Sequence, residues 1–152
     1  EAIRLARRPV IYAGGGVIAA NAAEELAALV RRTGIPVTTT LMGLGAFPGD
    51  HPLSLDLLGM HGSVYANYAI YEADLLLAFG VRFDDRVTGK VAAFAPHARI
   101  VHVDIDPSEI NKIKEADIAV VSDLRHALRE LNRIVEPPEG LGDWHRKIEA
   151  WK

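Results

Sequence analysis

Apolar and polar positions along this chain follow first one period and then another, and the switches mark out its elements. Pro9-Val10-Ile11-Tyr12-Ala13 is an unbroken apolar run of strand length that ends on Gly14-Gly15-Gly16. A helical period follows, with Ala22, Leu26, Leu29 and Val30 on one face. Asn21 and Glu24 make a capping box for it, and Gly34 and Pro36 end it. Glu24 and Glu25 lie early and Arg31 and Arg32 late, which suits the helix dipole. The β-branched run Pro36 to Leu41 predicts a second strand, and Met42 to Pro52, dense in Gly and Pro, predicts a loop. Ser63 caps a helix to Glu72, marked by Val64, Tyr68 and Tyr71 on one face. Ala73 to Phe79 predicts a third strand and Arg99 to Asp106 a fourth. Asp106-Pro107-Ser108-Glu109 then reads as a helix start. Ile118 to Val121 predicts a fifth strand. Asp123 caps a helix whose inner face is Leu124, Ala127, Leu128, Leu131, Ile134 and Val135. Pro137 to Gly140 reads as a linker, and a last helix carries Trp144, Ile148 and Trp151 on one stripe.

Apolar strands alternating with amphipathic helices predict an α/β fold: a doubly wound, mostly parallel, Rossmann-like sheet of about six strands with helices on both faces. The division expected is a binding domain over residues 1–136, then a linker and the start of a helix over 137–152 leading to a next domain. Glu1 to Arg8 reads as a helix end and Trp144 to Lys152 as a broken-off helical pattern, so a piece of a longer protein is expected. Exposed Trp side chains there would suit packing on a neighbouring domain.

Composition narrows the function. The 152 residues are 49% hydrophobic and 24% charged, in the globular range. A net charge of −3 with no basic block argues against nucleic acid as the main partner. The absence of Cys excludes thiol chemistry and is compatible with a cytoplasmic protein. No apolar run reaches membrane-span length.

The candidate chemistry gathers where strands end. Leu76 to Phe79 is fully apolar, breaks at Gly80, and delivers Arg82, Asp84, Asp85 and Arg86. Ligands of open α/β sheets bind outside the carboxyl ends of the strands, and an Arg there offers a bidentate fork to phosphate. The alternative is a solvated run of ion pairs. The three consecutive glycines admit either a ligand or only a tight turn. They are not the spaced dinucleotide fingerprint, and Thr88-Gly89-Lys90 lacks the Walker spacing. Met60 beside His61 makes an adaptable wall for a flat ring, or else a solvent-exposed turn. Asp104, at the end of its strand, is placed to accept from a ribose hydroxyl. Asp106 is better explained as a cap, and Asp123 as a cap or a second edge of the site. The six His lack metal-ligand spacing, and no Ser–His–Asp set emerges.

These blocks together resemble one family. They are Arg8-Pro9-Val10 with Gly14-Gly15-Gly16, Gly34 to Val37, Thr40-Leu41-Met42-Gly43-Leu44-Gly45, Leu58-Gly59-Met60-His61-Gly62, Tyr65 to Ala69, Gly80 to Lys90, and Ile100 to Pro107. Over nearly its whole length the chain resembles the middle domain of the large catalytic subunit in the acetolactate synthase (acetohydroxyacid synthase) family of thiamine diphosphate enzymes. Ser63, where Thr is frequent in that family, keeps the hydroxyl cap. The resemblance implies an enzyme that condenses two pyruvates, or pyruvate with 2-oxobutyrate, for branched-chain amino acid synthesis. It implies thiamine diphosphate and Mg²⁺ in flanking domains, and FAD, without net redox change, in this one. No catalytic residue and no metal ligand falls on this chain. Implied flavin contacts are Gly15, Thr40, Leu41, Leu58, Gly59, Met60, His61, Gly80, Val81, Arg82, Phe83, Asp84, Asp104, Ile105, Asp123 and Leu124. Asp104 and Asp123 would lie toward the adenosine, Gly15 and Arg82 at the pyrophosphate and ribityl, and Met60 and His61 at the flavin ring. Met60, Asp85 and Arg86 would border the channel where sulfonylurea and imidazolinone herbicides bind. Implied partners are the flanking domains and, for the parent, a homodimer or homotetramer with a regulatory small subunit. This domain alone is then expected to be inactive. The competing readings are a structural inter-domain module holding no nucleotide and a self-sufficient NAD-dependent oxidoreductase. Unspaced glycines and the lack of a Tyr–Lys pair count against the latter.

Overall fold

The computed structural model describes residues 1–83 and 88–152. After a short helix α1 (Ala2–Leu5), the chain builds β1 (Pro9–Ala13), α2 (Gly15–Ala19), α3 (Ala23–Thr33), β2 (Val37–Thr39) and β3 (Ser54–Leu57). Then come α4 (Val64–Glu72), β4 (Leu75–Phe79), β5 (Arg99–Asp104), β6 (Ile118–Val121), α5 (Leu124–Ile134) and α6 (Gly142–Trp151). The strands form one all-parallel sheet in the order β3-β2-β1-β4-β5-β6. This is the strand order of the dinucleotide-binding α/β fold, and the direction of winding reverses between β1 and β4.

Both faces of the sheet are covered, which is why the central strands are apolar throughout. Ile11, Leu77 and Val103 pack with Leu26, Leu29 and Val30 of α3 and Leu124 and Leu128 of α5. Val10, Leu76, Ala78 and Ile100 pack on the other face with Ala66, Ala69 and Ile70 of α4 and Trp144 and Ile148 of α6. Residues 137–152, read from the sequence as a linker and a helix leading away, thus fold back onto the sheet. Trp144 is only 2% exposed, and its Nε1 donates to the Pro9 carbonyl at 3.0 Å.

Several expectations are corrected. β3 lies just beyond the loop expected over Met42 to Pro52, in a stretch for which the sequence suggested no element; it is a short edge strand carrying one extra residue opposite β2, so its pattern is too brief and irregular to show. Asn21 does not cap α3. It takes φ +54, and Ala22 holds the cap position without a side-chain bond. In α4 the alanines face the core and Val64, Tyr68 and Tyr71 are exposed, because a close helix–sheet approach favours small side chains. Asp106 starts a turn rather than a helix: its carboxylate accepts from the Ser108 N–H and hydroxyl, closing a local loop that competes with helix formation. The fourth strand accordingly ends at Asp104. Ile134, expected on the inner face of its helix, is 74% exposed in the last turn. Gly34 closes α3 at φ +72, and Ser63 and Asp123 cap their helices as expected, accepting from the N–H groups of Ala66 and His126.

Candidate functional site

Hydrogen bonds beyond the strands stitch the six carboxyl ends into one continuous edge. Thr40 N–H donates to the Ala13 carbonyl, Leu58 N–H to Thr39, Gly14 N–H to Phe79, Gly80 N–H to Val103, and Ser122 N–H to Asp104. Each segment named as a candidate begins on this edge: Gly15 after β1, Thr40 and Leu41 after β2, Leu58 to His61 after β3, Gly80 to Phe83 after β4, Asp104 and Ile105 at β5, and Asp123 and Leu124 after β6. At about 4.8 Å per strand, six strands make an edge roughly 24 Å long. Asp84, Asp85 and Arg86 lie outside the described residues.

The glycines divide their work. A Cβ on Gly14 would stand 2.3 Å from the Gly80 oxygen, and one on Gly16 2.6 Å from the Gly80 Cα. The N–H groups of Gly14 and Gly16 donate to Phe79 and Gly80. Two of the three glycines therefore let β1 and β4 meet at the reversal of winding, rather than clearing room for a ligand. Gly15, between them, is part-exposed and free of that backbone contact, with Met42 Cβ 3.1 Å from where its own Cβ would stand.

Among the other candidates, exposure separates two kinds. Leu41, Ile105 and His61 are exposed, and Met60 is 82% exposed, so these offer side chains to whatever lies along the edge. Leu58, Val81, Phe83 and Leu124 are buried. Their side chains belong to the core, and only their backbones reach the edge. Arg82 is exposed between buried Val81 and Phe83. Thr40 caps the short turn after β2 by accepting from the Gly43 N–H. Asp104 accepts from the Asp106 N–H at 3.0 Å.

Three positioning groups had no assigned role in the sequence. Asn67 on α4 donates to the carbonyls of Gly59 and Ser63, fixing the loop that carries Met60 and His61. Asp56, at the β3 irregularity with φ +60, has its carbonyl held by buried Thr38 and its carboxylate by Tyr65. That hydrogen bond to Asp56, with burial and the Asp56 charge, raises the Tyr65 phenol above its ordinary value. His102, fully buried, contacts the Val81 carbonyl through Nε2 at 2.8 Å. Burial holds its pKa below the ordinary imidazole value, although Val81, Asp104 and Glu109 pull upward. The signal for His102 was available: it is a polar residue at an inward position of an otherwise apolar strand.

An open parallel sheet with this strand order, and with the exposed candidates among the described residues on its carboxyl edge, defines a doubly wound, Rossmann-like α/β domain. Residues 1–131 match the family model "Thiamine pyrophosphate enzyme, central domain", and the chain belongs to that family. Its relatives include acetolactate synthase 2, chloroplastic, of Zea mays, 57% identical over 151 residues covering 96% of this chain and 23% of the relative. Acetolactate synthase 2, chloroplastic, of Nicotiana tabacum is 58% identical over 151 residues, 96% of this chain and 22% of the relative. Acetolactate synthase, chloroplastic, of Arabidopsis thaliana is 57% identical over 130 residues, 86% and 19% respectively. The chain thus spans about a fifth of the length of these relatives.

The edge fits an extended dinucleotide such as FAD. It has apolar side chains at the β2 and β3 ends, an exposed guanidinium after β4, and carboxylates at the β5 and β6 ends. Among the described residues, no three His, Asp or Glu converge as a metal site. Among them also, no helix is long and apolar enough to cross a membrane.

Proposed function

We propose that this chain is the FAD-binding middle domain of an acetolactate synthase. The parent enzyme would condense two pyruvates, or pyruvate and 2-oxobutyrate, in branched-chain amino acid biosynthesis. The observation that carries the flavin reading is the placement of the candidate segments at all six strand ends on one edge. The family and the relatives' names support the reaction. Thiamine diphosphate and Mg²⁺ would be held by flanking domains and supply the condensation chemistry there. FAD, when bound here, supplies a flat ring and a diphosphate without net redox change.

This chain's own residues would bind and orient. Arg82 would pair with the diphosphate, since a guanidinium forks onto two phosphate oxygens. Gly15 would let the backbone come close to it. Asp104 would accept from ribose, with Asp123 beside it toward the adenosine. Leu41, Met60 and His61 would cover the ring. Met60 would also face the herbicide channel, together with Asp85 and Arg86. The domain would work with its flanking domains, in a homodimer or homotetramer carrying a regulatory small subunit. Nucleic acid and membrane are not expected partners. A cytoplasmic site rests on the cysteine-free sequence alone, and fractionation of the source cell would test it against the chloroplast of the relatives' names.

Titration of FAD with this chain, followed by flavin fluorescence, tests the reading: saturable quenching supports it. A second reading, a structural module that holds no nucleotide by itself, is favoured by one observation. Leu41, Met42, Leu44 and Met60 all stand exposed at the same end of the sheet, as on a site walled from one side only. Failure to quench would favour that module.

A further inference from the structure

We infer that His102 is a positioning residue for the site: it holds down the strap Gly80–Phe83 and so aims Arg82 along the carboxyl edge. For the aim to matter to ligand, the inference rests on the flavin reading above. The strap has two anchors. The first is the Val81 carbonyl, 2.8 Å from His102 Nε2. A carbonyl can only accept, so Nε2 carries the proton and donates. In the neutral ring Nδ1 is then bare, and it is buried without a partner among the described residues. Nothing there would accept a second N–H, so the geometry admits only the neutral, Nε2-protonated ring.

The second anchor is the Phe83 ring. In register across the sheet stand Tyr12, Ala78 and His102. Small Ala78 leaves a gap between the two larger side chains. Phe83 packs over it, 6.0 Å from the Tyr12 ring, 5.1 Å from His102 and 5.9 Å from Phe94. The backbone complies by taking φ +50 at Phe83, a left-handed conformation unfavourable for a bulky side chain. Its neighbour Gly80 is at φ +64 against Gly16. A strained strap persists only where its surroundings over-determine it. His102 serves both anchors, as donor to Val81 and as wall to Phe83. With residues 81 and 83 turned inward, Arg82 between them faces out.

Wild type, His102→Gln and His102→Leu separate these roles. Gln carries an N–H near the place of Nε2, whereas Leu fills space and leaves the Val81 carbonyl unpaired. The readouts are hydrogen exchange of the backbone amides of residues 80–83, and FAD affinity by fluorescence. In His102→Leu the strap should exchange about tenfold faster, and FAD should bind about tenfold more weakly, the effect of one lost hydrogen bond on local opening. His102→Gln should return both to within about threefold of wild type. An unchanged strap in His102→Leu, or a His102→Gln variant as impaired as His102→Leu, overturns the inference. If wild type binds no FAD, the flavin reading fails and the exchange arm decides the strap on its own. Should the Leu variant not fold, nitrogen-15 NMR of wild type still decides. A neutral ring protonated at Nε2 at neutral pH is the expected state, and an imidazolium or an Nδ1-protonated ring contradicts it.

Discussion

His102 carries a pH dependence whose sign follows from its burial. Its folded pKa is lowered, so near and below the ordinary imidazole value of about 6.5 the unfolded chain binds the extra proton first. Stability is therefore complete above that pH and falls as pH drops toward the folded pKa, with Asp104 and Glu109 moderating the loss. Urea unfolding across this range should show the decline, and His102→Gln should flatten it. At Trp144 the expected effects are larger. Trp144→Ala should lose about 3–5 kcal/mol as a cavity opens. Trp144→Phe should lose about 1 kcal/mol more than its packing change, for the bond to Pro9. Both are read from denaturant midpoints. Gly16→Ala should lose about 1–3 kcal/mol, because its Cβ would meet backbone rather than a movable side chain. At this scale the sequence marks exposed candidates more readily than the residues that support them. Arg82 and Met60 stand out as odd residues after a strand. Asn67 and His102 act through other residues' backbone carbonyls, and Asp56 is held by the Thr38 hydroxyl and the Tyr65 phenol; no local pattern encodes such partners.

Helices and strands were legible where one period ran long enough. α3, with its apolar stripe, its charges and Gly34, was readable almost residue by residue; β3, four residues long and irregular, was not. The faces of α4 show a second limit. The sequence marks a face of Val64, Tyr68 and Tyr71 without saying which side turns inward, and close packing against the sheet selects the alanines. Pairing between elements is equally invisible before folding. Glu25 of α3 meets Arg125 at 3.2 Å and Arg129 at 3.4 Å, and Asn132 donates to its carbonyl, joining α3 to α5 across the sheet face. Burial works against the Glu25 charge, but hydrogen bonds from its own backbone and Arg125, with both guanidinium charges, lower its pKa overall. Arg125→Ala and Arg129→Ala should each cost under about 1 kcal/mol, since both guanidiniums are solvated, and the losses should shrink in high salt. Thermal melts at two salt concentrations check this.

For the whole molecule, alternating apolar runs and amphipathic helices were enough to imply a parallel α/β sheet of about six strands. The order of those strands, and hence the reversal between β1 and β4, came only with the structure. That order turns separate strand-end motifs into a single edge, with Gly14 and Gly16 closing its centre against Gly80. If the chemistry of a thiamine enzyme lies in other domains, this chain supplied with thiamine diphosphate, Mg²⁺ and pyruvate should form no acetolactate. A colorimetric acetoin assay after acid decarboxylation would show any that appears. The central claim is that the carboxyl edge is a flavin site, and FAD titration of wild type beside Arg82→Ala and Asp104→Ala tests it most directly. Saturable quenching by wild type, weakened about tenfold or more in each variant with folding intact, is the result the account predicts. Absence of saturable binding, or binding that neither substitution alters, would contradict it.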